Sequence, residues 1–329
     1  MSVLVTGGAG YIGSATVRRL RGDGVDVVVL DTLEHGTRAS IPGVELVVAD
    51  IADVDAVTST CKEHGVTQAV HFAAYKSVGE SMEEPTKYFR NNVAGTVTLV
   101  DTLLANGVTD FVFSSSCSVN GTPATNPVDE RAAVHPESVY AETKAIVERV
   151  LGWYHITRGL RSICLRYFNA AGASPDGAFG ETWDHSANLV PLTMKAVLGR
   201  RPPLQVFGDD YPTADGTCIR DYIHVDDLAD AHLKALAHLA GGGGSDTFNV
   251  GTGVGSSVLE VIRATERISE RPVPYEIVAR RPGDPVATFA DPTRSADVLG
   301  WRATRSLDDI IASAWAWHHA HPDGYRDTR

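Results

Sequence analysis

Short apolar runs alternate with helical stretches through the first half of the chain. Val3–Thr6, Val25–Leu30, Leu46–Val48, Ala69–Phe72 and Phe111–Ser114 are dominated by apolar residues, with little polar alternation. That is the pattern of strands covered on both faces of a parallel sheet. Between them the spacing predicts helices over Tyr11–Arg21, Asp53–His64, Pro85–Asn106 and Ser138–Arg158, and a further strand, Ser162–Tyr167, leads to Asn169. Strand and helix in alternation build βαβ units and an α/β, doubly wound parallel sheet.

Beyond that point the alternation weakens. Ala170–Asp184 is rich in Gly, Pro and Asp and reads as loop. Helices are predicted over Asn188–Leu198, Asp226–Leu239, Ser257–Ser269 and Leu307–Ala320, with strands at Leu204–Phe207, Arg220–His224, Thr247–Val250 and Tyr275–Val278. The expected division is a dinucleotide-type domain over 1–168, with 218–235 returning to it. A smaller mixed α/β lobe over 169–217 and 236–329 would take the substrate. Gly241–Ser245 is a surface loop, and no internal repeat is present.

Composition narrows the function. Lys+Arg 29 against Asp+Glu 41 gives a net charge of −12, which opposes a phosphate polymer and argues against nucleic acid as a partner. It does not oppose a small anion in a locally basic pocket. Cys61, Cys117, Cys164 and Cys218 are scattered without metal-ligand spacing, as expected of a reducing compartment. The N-terminus lacks the pattern of a signal peptide, and the apolar runs are too short to span a bilayer, so the expected location is the cytoplasm and no membrane partner is expected.

Thr6-Gly7-Gly8-Ala9-Gly10-Tyr11-Ile12-Gly13 links the first strand to the first helix, with Gly7, Gly10 and Gly13 spaced GxxGxxG. Glycines let backbone approach a pyrophosphate, and the helix start offers free N–H groups and a positive dipole end. Asp31 ends the second strand, where a carboxylate accepts from a ribose diol and repels a 2′-phosphate, favouring NAD over NADP. Asp50-Ile51 and Phe72-Ala73-Ala74, at the ends of the third and fourth strands, fit the same crevice.

Tyr140 and Lys144 form YxxxK on one face of a predicted helix. A phenol with a pKa near 10 needs about 4 kcal/mol of preferential phenolate stabilisation to work as a base near neutrality. An adjacent ammonium and an oxidised nicotinamide would supply it together. Ser116 follows the fifth strand, where a hydroxyl points into the ligand crevice and could bond the oxygen that the tyrosine deprotonates.

With these residues in place the chain resembles the UDP-glucose (UDP-galactose) 4-epimerases among the extended short-chain dehydrogenase/reductases. The segments carrying the resemblance are VLVTGGAGYIGS at 3–14, HFAAYKSVGES at 71–81, NNVAGT at 91–96, FVFSSS at 111–116, LRYFNAAGA at 165–173, FGDDYPTADGTCIRDYIHVDDLADAH at 207–232, FNVGTGVGSSVLEV at 248–261 and RRPGDP at 280–285. The resemblance implies a Rossmann-type fold, tightly held NAD that is not consumed, a UDP-sugar substrate, and a homodimer through the helices at 85–106 and 138–158. It implies that Tyr140 takes and returns the proton of the sugar 4-hydroxyl through a transient 4-keto sugar, with Lys144 tuning it and Ser116 on the 4-oxygen. Cofactor contacts fall on Gly7, Gly10, Tyr11, Ile12, Asp31, Asp50, Ile51, Phe72, Lys76, Asn91, Tyr140, Lys144 and Tyr167. Nucleotide-sugar contacts fall on Asn169, Asn188, Leu189, Phe207, Arg220, Arg281 and Asp284. A guanidinium also suits a pyrophosphate on its own chemistry. Thr288 aligns where the family carries either a large tyrosine or a small residue that leaves room for a 2-acetamido group.

The sequence departs from the family at Asn120, at Ser138-Val139 before the catalytic tyrosine, and over Thr32–Gly36. Alternatives that stay open are 4-epimerisation of UDP-GlcNAc/GalNAc, UDP-xylose, UDP-glucuronate or a TDP-hexose, a net NAD-dependent oxidoreductase, and a non-catalytic NAD sensor. Ser116-Cys117-Ser118 lacks the Asp-Glu of a dehydratase. His224, Asp226, Asp227, Asp230 and His232 read as a capped helix start rather than a metal site. His318, His319 and His321 read as a solvated last helix, and Cys117 as packing.

Overall fold

The computed structural model describes residues 2–182, 186, 188–281 and 283–325. The last two positions of the expected 170–184 loop, and position 282 within the 280–285 motif, lie outside the described residues. Strands run in chain order as β1 (Ser2–Thr6), β2 (Asp26–Asp31), β3 (Glu45–Val48), β4 (Val66–His71), β5 (Asp110–Ser116), β6 (Arg161–Tyr167), β7 (Asn169–Ala171), β8 (Leu204–Phe207), β9 (Ile219–His224), β10 (Asp246–Val250), β11 (Gly255–Ser257), β12 (Tyr275–Val278) and β13 (Ala287–Thr288). Helices are α1 (Tyr11–Gly22), α2 (Val54–His64), α3 (Val78–Glu83), α4 (Pro85–Tyr88), α5 (Thr96–Ala105), α6 (Val139–Arg158), α7 (Leu189–Val197), α8 (Val225–Ala240), α9 (Val258–Ser269), α10 (Thr293–Leu299) and α11 (Leu307–Ala320).

Seven parallel strands form the main sheet in the order β10-β6-β5-β4-β1-β2-β3. All of β1 and β5 is buried, which is why their sequences carry no polar alternation. One apolar core, with Val3, Val29, Val112 and Phe248, lies under α1 and α8; the other, with Leu4, Leu99, Phe111 and Leu151, lies under α2, α5 and α6. Local chemistry sets the helix ends. Ser138 caps α6 by accepting from Ala141 N, and Gly159, at φ +72°, closes it. Ser257 with Glu260 and Ser306 with Asp309 make reciprocal capping boxes on α9 and α11.

Three expectations are corrected. The stretch 85–106 is not one helix: α4 passes through a π-helical segment, Phe89–Gly95, into α5. Asn92 explains the widening. Its buried amide accepts from Tyr75 N at 2.9 Å and donates to Tyr75 O at 3.0 Å and Thr143 Oγ1 at 3.2 Å, bonds that draw the backbone toward the sheet edge and α6. The segment 218–235 returns only in part, because β9 joins a separate sheet with β7, β11 and β13 while α8 packs on α1, β5 and β6. Conversely β10, expected in the lobe, pairs with β6 in the main sheet, driven by the full burial of Phe248 and Val250.

Asp221 on β9 joins these layers. Its fully buried carboxylate accepts from Thr252 N (3.0 Å) and Thr252 Oγ1 (2.6 Å) with one oxygen, and from Gly253 N and Ala290 N (both 3.1 Å) with the other. Asp221→Asn would turn an amide NH2 toward two backbone N–H groups or orphan them. We expect it to lower stability by about 3 kcal/mol, read as a lower denaturant midpoint with unchanged far-UV spectrum.

Candidate active site

The carboxyl ends of β1 to β4 and of β6 open into a cleft of about 480 Å³. At its base the chain turns from β1 into α1. Gly7 has φ +70°, and a Cβ there would lie 2.5 Å from Ala73 N. A Cβ on Gly13 would lie 2.2 Å from Gly7 O and 2.8 Å from Gly8 Cα, so both glycines are required by the protein's own packing. Gly10 differs: its Cβ would meet only Gly7 O, at 3.4 Å, while the residue lines the cleft. Gly10 also caps α1 without a side chain, so the N–H groups of the first turn remain open to an anion. This is a cradle that a dinucleotide pyrophosphate fits and a side chain would fill.

Asp31 is fixed by Ala9 N (2.9 Å) on one oxygen and Leu33 N (2.8 Å) on the other, with Leu33 held at φ +61°. Gly7, Gly10, Tyr11, Ile12, Asp31, Asp50, Ile51, Phe72, Lys76, Asn91, Tyr140, Lys144 and Tyr167 all line this one cleft. The π-helical segment brings Asn91 there, where it donates to Asn92 Oδ1 at 2.9 Å. Tyr11 turns its hydroxyl to Gly172 O (2.6 Å) and stacks on Phe179 at 5.7 Å. Residues without an assignment from the sequence also line the cleft: Glu34, His35 and Tyr75 on one side, Glu181 and Thr182 on the other. Tyr75 donates to Glu34 at 2.7 Å, and buried Glu181 lies 3.7 Å from the Lys76 ammonium. No local motif announces these contacts, which join segments 41 or more residues apart.

At the deep end, Tyr140 and Lys144 enter from α6. Ser81 of α3 accepts from Tyr140 N at 3.1 Å and sets the start of the helix. The Lys144 ammonium donates to Ser114 O at 2.7 Å, 4.7 Å from the Phe113 ring centre and 5.9 Å from that of Tyr140. Ser116 accepts from Ser118 N (3.2 Å) and from the Ser118 hydroxyl (2.9 Å). Ser116 does not itself line the cleft, but its hydroxyl lies near enough to Tyr140 to favour the phenolate. Burial nevertheless dominates: chiefly through desolvation, then through Tyr167, the Tyr140 phenol is held above its ordinary range. Burial likewise drops Lys144 to about 7, with Glu148 opposing. The low-pKa tyrosine expected from YxxxK is therefore not produced by Lys144 alone; the dry corner opposes it and favours an added cation.

A second cleft, of about 300 Å³, lies beyond β7 and β9. It is lined by Asn169, Asn188, Leu189, Phe207, Arg220, Arg281 and Asp284, with Arg201 and Gln205 in addition. Arg220 donates to Ile219 O (2.8 Å) and Pro285 O (2.9 Å) and pairs with Asp284 at 3.3 Å. The Arg281 guanidinium sits 3.7 Å over the Phe207 ring. Thr288 does not line this cleft; it is buried behind it, in register with Arg220 across β13 and β9. The acidic cluster after β9 is spent on structure: His224 Nδ1 accepts from Asp226 N (3.1 Å), Asp227 takes Thr304 and Arg305, and Asp230 pairs with Arg19 at 2.5 Å. Asn120 is buried and donates to Ala132 O and Ala133 O.

Comparison with known proteins agrees with this architecture. The model of the NAD dependent epimerase/dehydratase family matches residues 3–251. A UDP-glucose 4-epimerase of Halalkalibacterium halodurans is 43% identical over 326 residues, 99% of this chain and 98% of that protein. The crystal structure of UDP-glucose 4-epimerase from Brucella ovis in complex with NAD superposes with TM-score 0.94 at 45% identity, covering 95% of this chain and 97% of that one. The Bifidobacterium longum UDP-glucose 4-epimerase, solved with NAD+ and UDP, gives TM-score 0.93 at 36% identity over 99% of this chain and 100% of that one.

The glycines separate fold from ligand. We expect Gly13→Ala to destabilise the chain by about 2 kcal/mol through the clash with Gly7, whereas Gly10→Ala should fold with near-normal stability and lose at least tenfold in NAD affinity. Thermal melts and cofactor titration of the two variants check this.

Proposed function

We propose that the chain, which belongs to the NAD dependent epimerase/dehydratase family, interconverts UDP-glucose and UDP-galactose at the sugar C4. The observation that carries the reading is the placement of Tyr140 and Lys144 on the wall of a dinucleotide cleft, with Ser116 at the end of β5 near Tyr140, in a chain 43% identical to a UDP-glucose 4-epimerase along nearly its whole length. NAD, held by the first cleft, would supply the redox chemistry at C4 in both directions, and the positive charge of its oxidised ring would favour the phenolate.

The protein's part is proton handling and orientation. Tyr140 accepts the proton of the 4-hydroxyl, holds it while the 4-keto sugar exists, and returns it to the same oxygen. Ser116, whose own hydroxyl accepts from Ser118, keeps a hydrogen with which to steer that oxygen. Lys144 stays fixed on Ser114 O as a counter-charge. Asp31 takes the adenosine ribose diol, and the first turn of α1 with Lys76 takes the cofactor pyrophosphate. Tyr11, Ile12, Asp50, Ile51, Phe72, Asn91 and Tyr167 complete the cofactor site. In the second cleft, Arg220 and Arg281 take the nucleotide pyrophosphate, while Asn169, Asn188, Leu189, Phe207 and Asp284 shape the rest. Holding the nucleotide rather than the sugar leaves the sugar free to present its other face.

The 2-substituent is a separate question, and Thr288 bears on it. Its side chain is small, buried and has an unpartnered Oγ1 beside the register position of Arg220. Thr288 stands behind the cleft wall, so the reading rests on its small size at a position where the resemblance expects either a tyrosine or a small residue; on that ground a 2-acetamido group is admitted, with UDP-GalNAc a slow substrate. The main sheet with its helices, α8 and β10 included, forms the cofactor half, and the β7–β9–β11–β13 and β8–β12 sheets form the substrate half. Exposed Trp153 and Ile156 on α6 support pairing of two copies through the 85–106 and 138–158 segments. No described helix is long and apolar enough to cross a membrane. The free cysteines Cys61, Cys117, Cys164 and Cys218 fit a cytoplasmic setting.

NMR of a panel of UDP- and TDP-sugars should show C4 epimers of UDP-glucose and UDP-galactose fastest and of UDP-GalNAc slowly. Absence of any UDP-GalNAc turnover would remove the Thr288 reading. Tyr140→Phe should retain bound NAD and lose turnover by about a thousandfold; near-normal activity would sink the proton role.

A further inference from the structure

Behind Lys144, one turn further along α6, lies a carboxylate with no place in the reaction as described. Glu148 is buried, its side chain 10% exposed against 7% for its partner Arg166. It accepts from Ser115 Oγ at 2.5 Å, from Arg166 Nε at 2.9 Å, and from Arg166 Nη2 at 2.5 Å. Both partners belong to the strands that build the reaction centre. Ser115 stands between Ser114, whose carbonyl receives Lys144, and Ser116; Arg166 faces Ser115 in register, next to Tyr167. We infer that Glu148 is a positioning residue for the reaction, the fixed counter-charge that holds Lys144 as an ammonium beside Tyr140. The inference rests on the Tyr140–Lys144 reading above.

Charge counting in a dry corner carries the argument. Arg166 cannot release its proton in a protein. With Glu148 ionised, the three groups carry one positive charge, and a Tyr140 phenolate brings the total to zero. Without Glu148, two cations share the buried space, and Lys144 is the one able to give up its proton. The other groups facing Lys144 do not replace the carboxylate. His71 of β4 is held neutral by burial, its pKa near 3, and its Nε2 donates to Thr96 Oγ1, whose own hydrogen goes to Asn92 O. Phe113 and the Ser114 carbonyl of β5 are uncharged, Cys164 of β6 is a thiol held protonated by burial, and Tyr140 is the group being served. Glu148 is the leading influence that favours the charged form of Lys144.

The sign follows. Lys144 works protonated, so activity is lost as pH rises through its pKa, and removing Glu148 brings that loss to lower pH. The test is the pH profile of kcat with UDP-galactose, together with an NMR titration of Lys144 Nζ in the cofactor-free chain. Glu148→Gln should move the alkaline limb and the Lys144 midpoint down by about one pH unit, with KM little changed. Glu148→Asp, which keeps the charge, should return the limb to the wild-type position even at reduced kcat. Because Glu148→Gln strands the Arg166 charge and can unfold the chain, Arg166→Gln, which leaves Glu148 facing Lys144 alone, serves as the second variant, with the limb and the Lys144 midpoint expected to rise. A folded Glu148→Gln that keeps the wild-type limb and Lys144 midpoint or loses kcat equally at every pH, or a folded Arg166→Gln with no rise, overturns the inference. Failure of the underlying reading shows separately, as normal turnover in Lys144→Met.

Discussion

The bond from Lys144 to the Ser114 carbonyl is the contact on which the site depends. It fixes the ammonium against the end of β5 and so sets the distance between α6 and the strand that carries Ser116. A buried lysine is costly, and the structure offsets that cost with the Phe113 ring, the carbonyl and the nearby carboxylate. Once the helix is placed this way, Tyr140 has one position, Ser81 holds the start of the helix, and the Asn92–Thr143 bond draws the π-helical segment against α6. The geometry of the reaction centre is thus written mostly in main-chain carbonyls and hydroxyls, with little freedom left to the reacting groups themselves.

The two clefts differ in how they treat anions. The first relies on backbone: glycines and a bare helix start, with Lys76 partly neutralised by Glu181. The second relies on guanidinium groups held in place by carbonyls and by stacking. A backbone cradle cannot swing away or be protonated, which suits a cofactor that stays. Side-chain cations, Arg220 on β9 and Arg281 on the loop after β12, can change rotamer, which suits a substrate that must enter and leave. The net charge of −12 extends into the first cleft, whose walls carry Asp31, Glu34, Asp50, Glu80 and Glu181 against Lys76 and Lys144, whereas the second sets Arg201, Arg220 and Arg281 against Asp284.

Local spacing made much of this legible in the sequence. The strand-to-helix glycines, Asp31, and the i, i+4 pair on α6 are separated by a few residues or by one βαβ unit, so their geometry follows from the elements themselves. What stayed hidden was tertiary. The direction of the Tyr140 shift depends on how completely other elements exclude water, which YxxxK does not encode. The π-helical widening depends on Asn92 meeting Tyr75 and Thr143, and a helical periodicity runs through it unbroken. The placement of β9 and β10 was exchanged in part because short apolar strands say that they are buried but not beside which neighbour. Thr288 was located by resemblance, and the fold sets it behind the second cleft rather than on its wall.

A reaction with no net oxidation places unusual demands on its base. The group that removes the proton must return it, so a strongly depressed pKa would strand the proton on solvent and a strongly raised one would never take it. Burial alone pushes Tyr140 toward the second failure and Lys144 toward neutrality. The chain answers with the Ser116 hydroxyl near the phenol, with a carboxylate behind the lysine, and with a cavity on whose described walls Lys144 is the buried cation. Such a site is poised so that one added positive charge tips the phenol toward giving up its proton, and loss of that charge tips it back. On the proposed role of Tyr140, its proton transfer is tied to the redox state of whatever occupies the first cleft, and the same carboxyl-end corner of the sheet would serve both directions of the reaction.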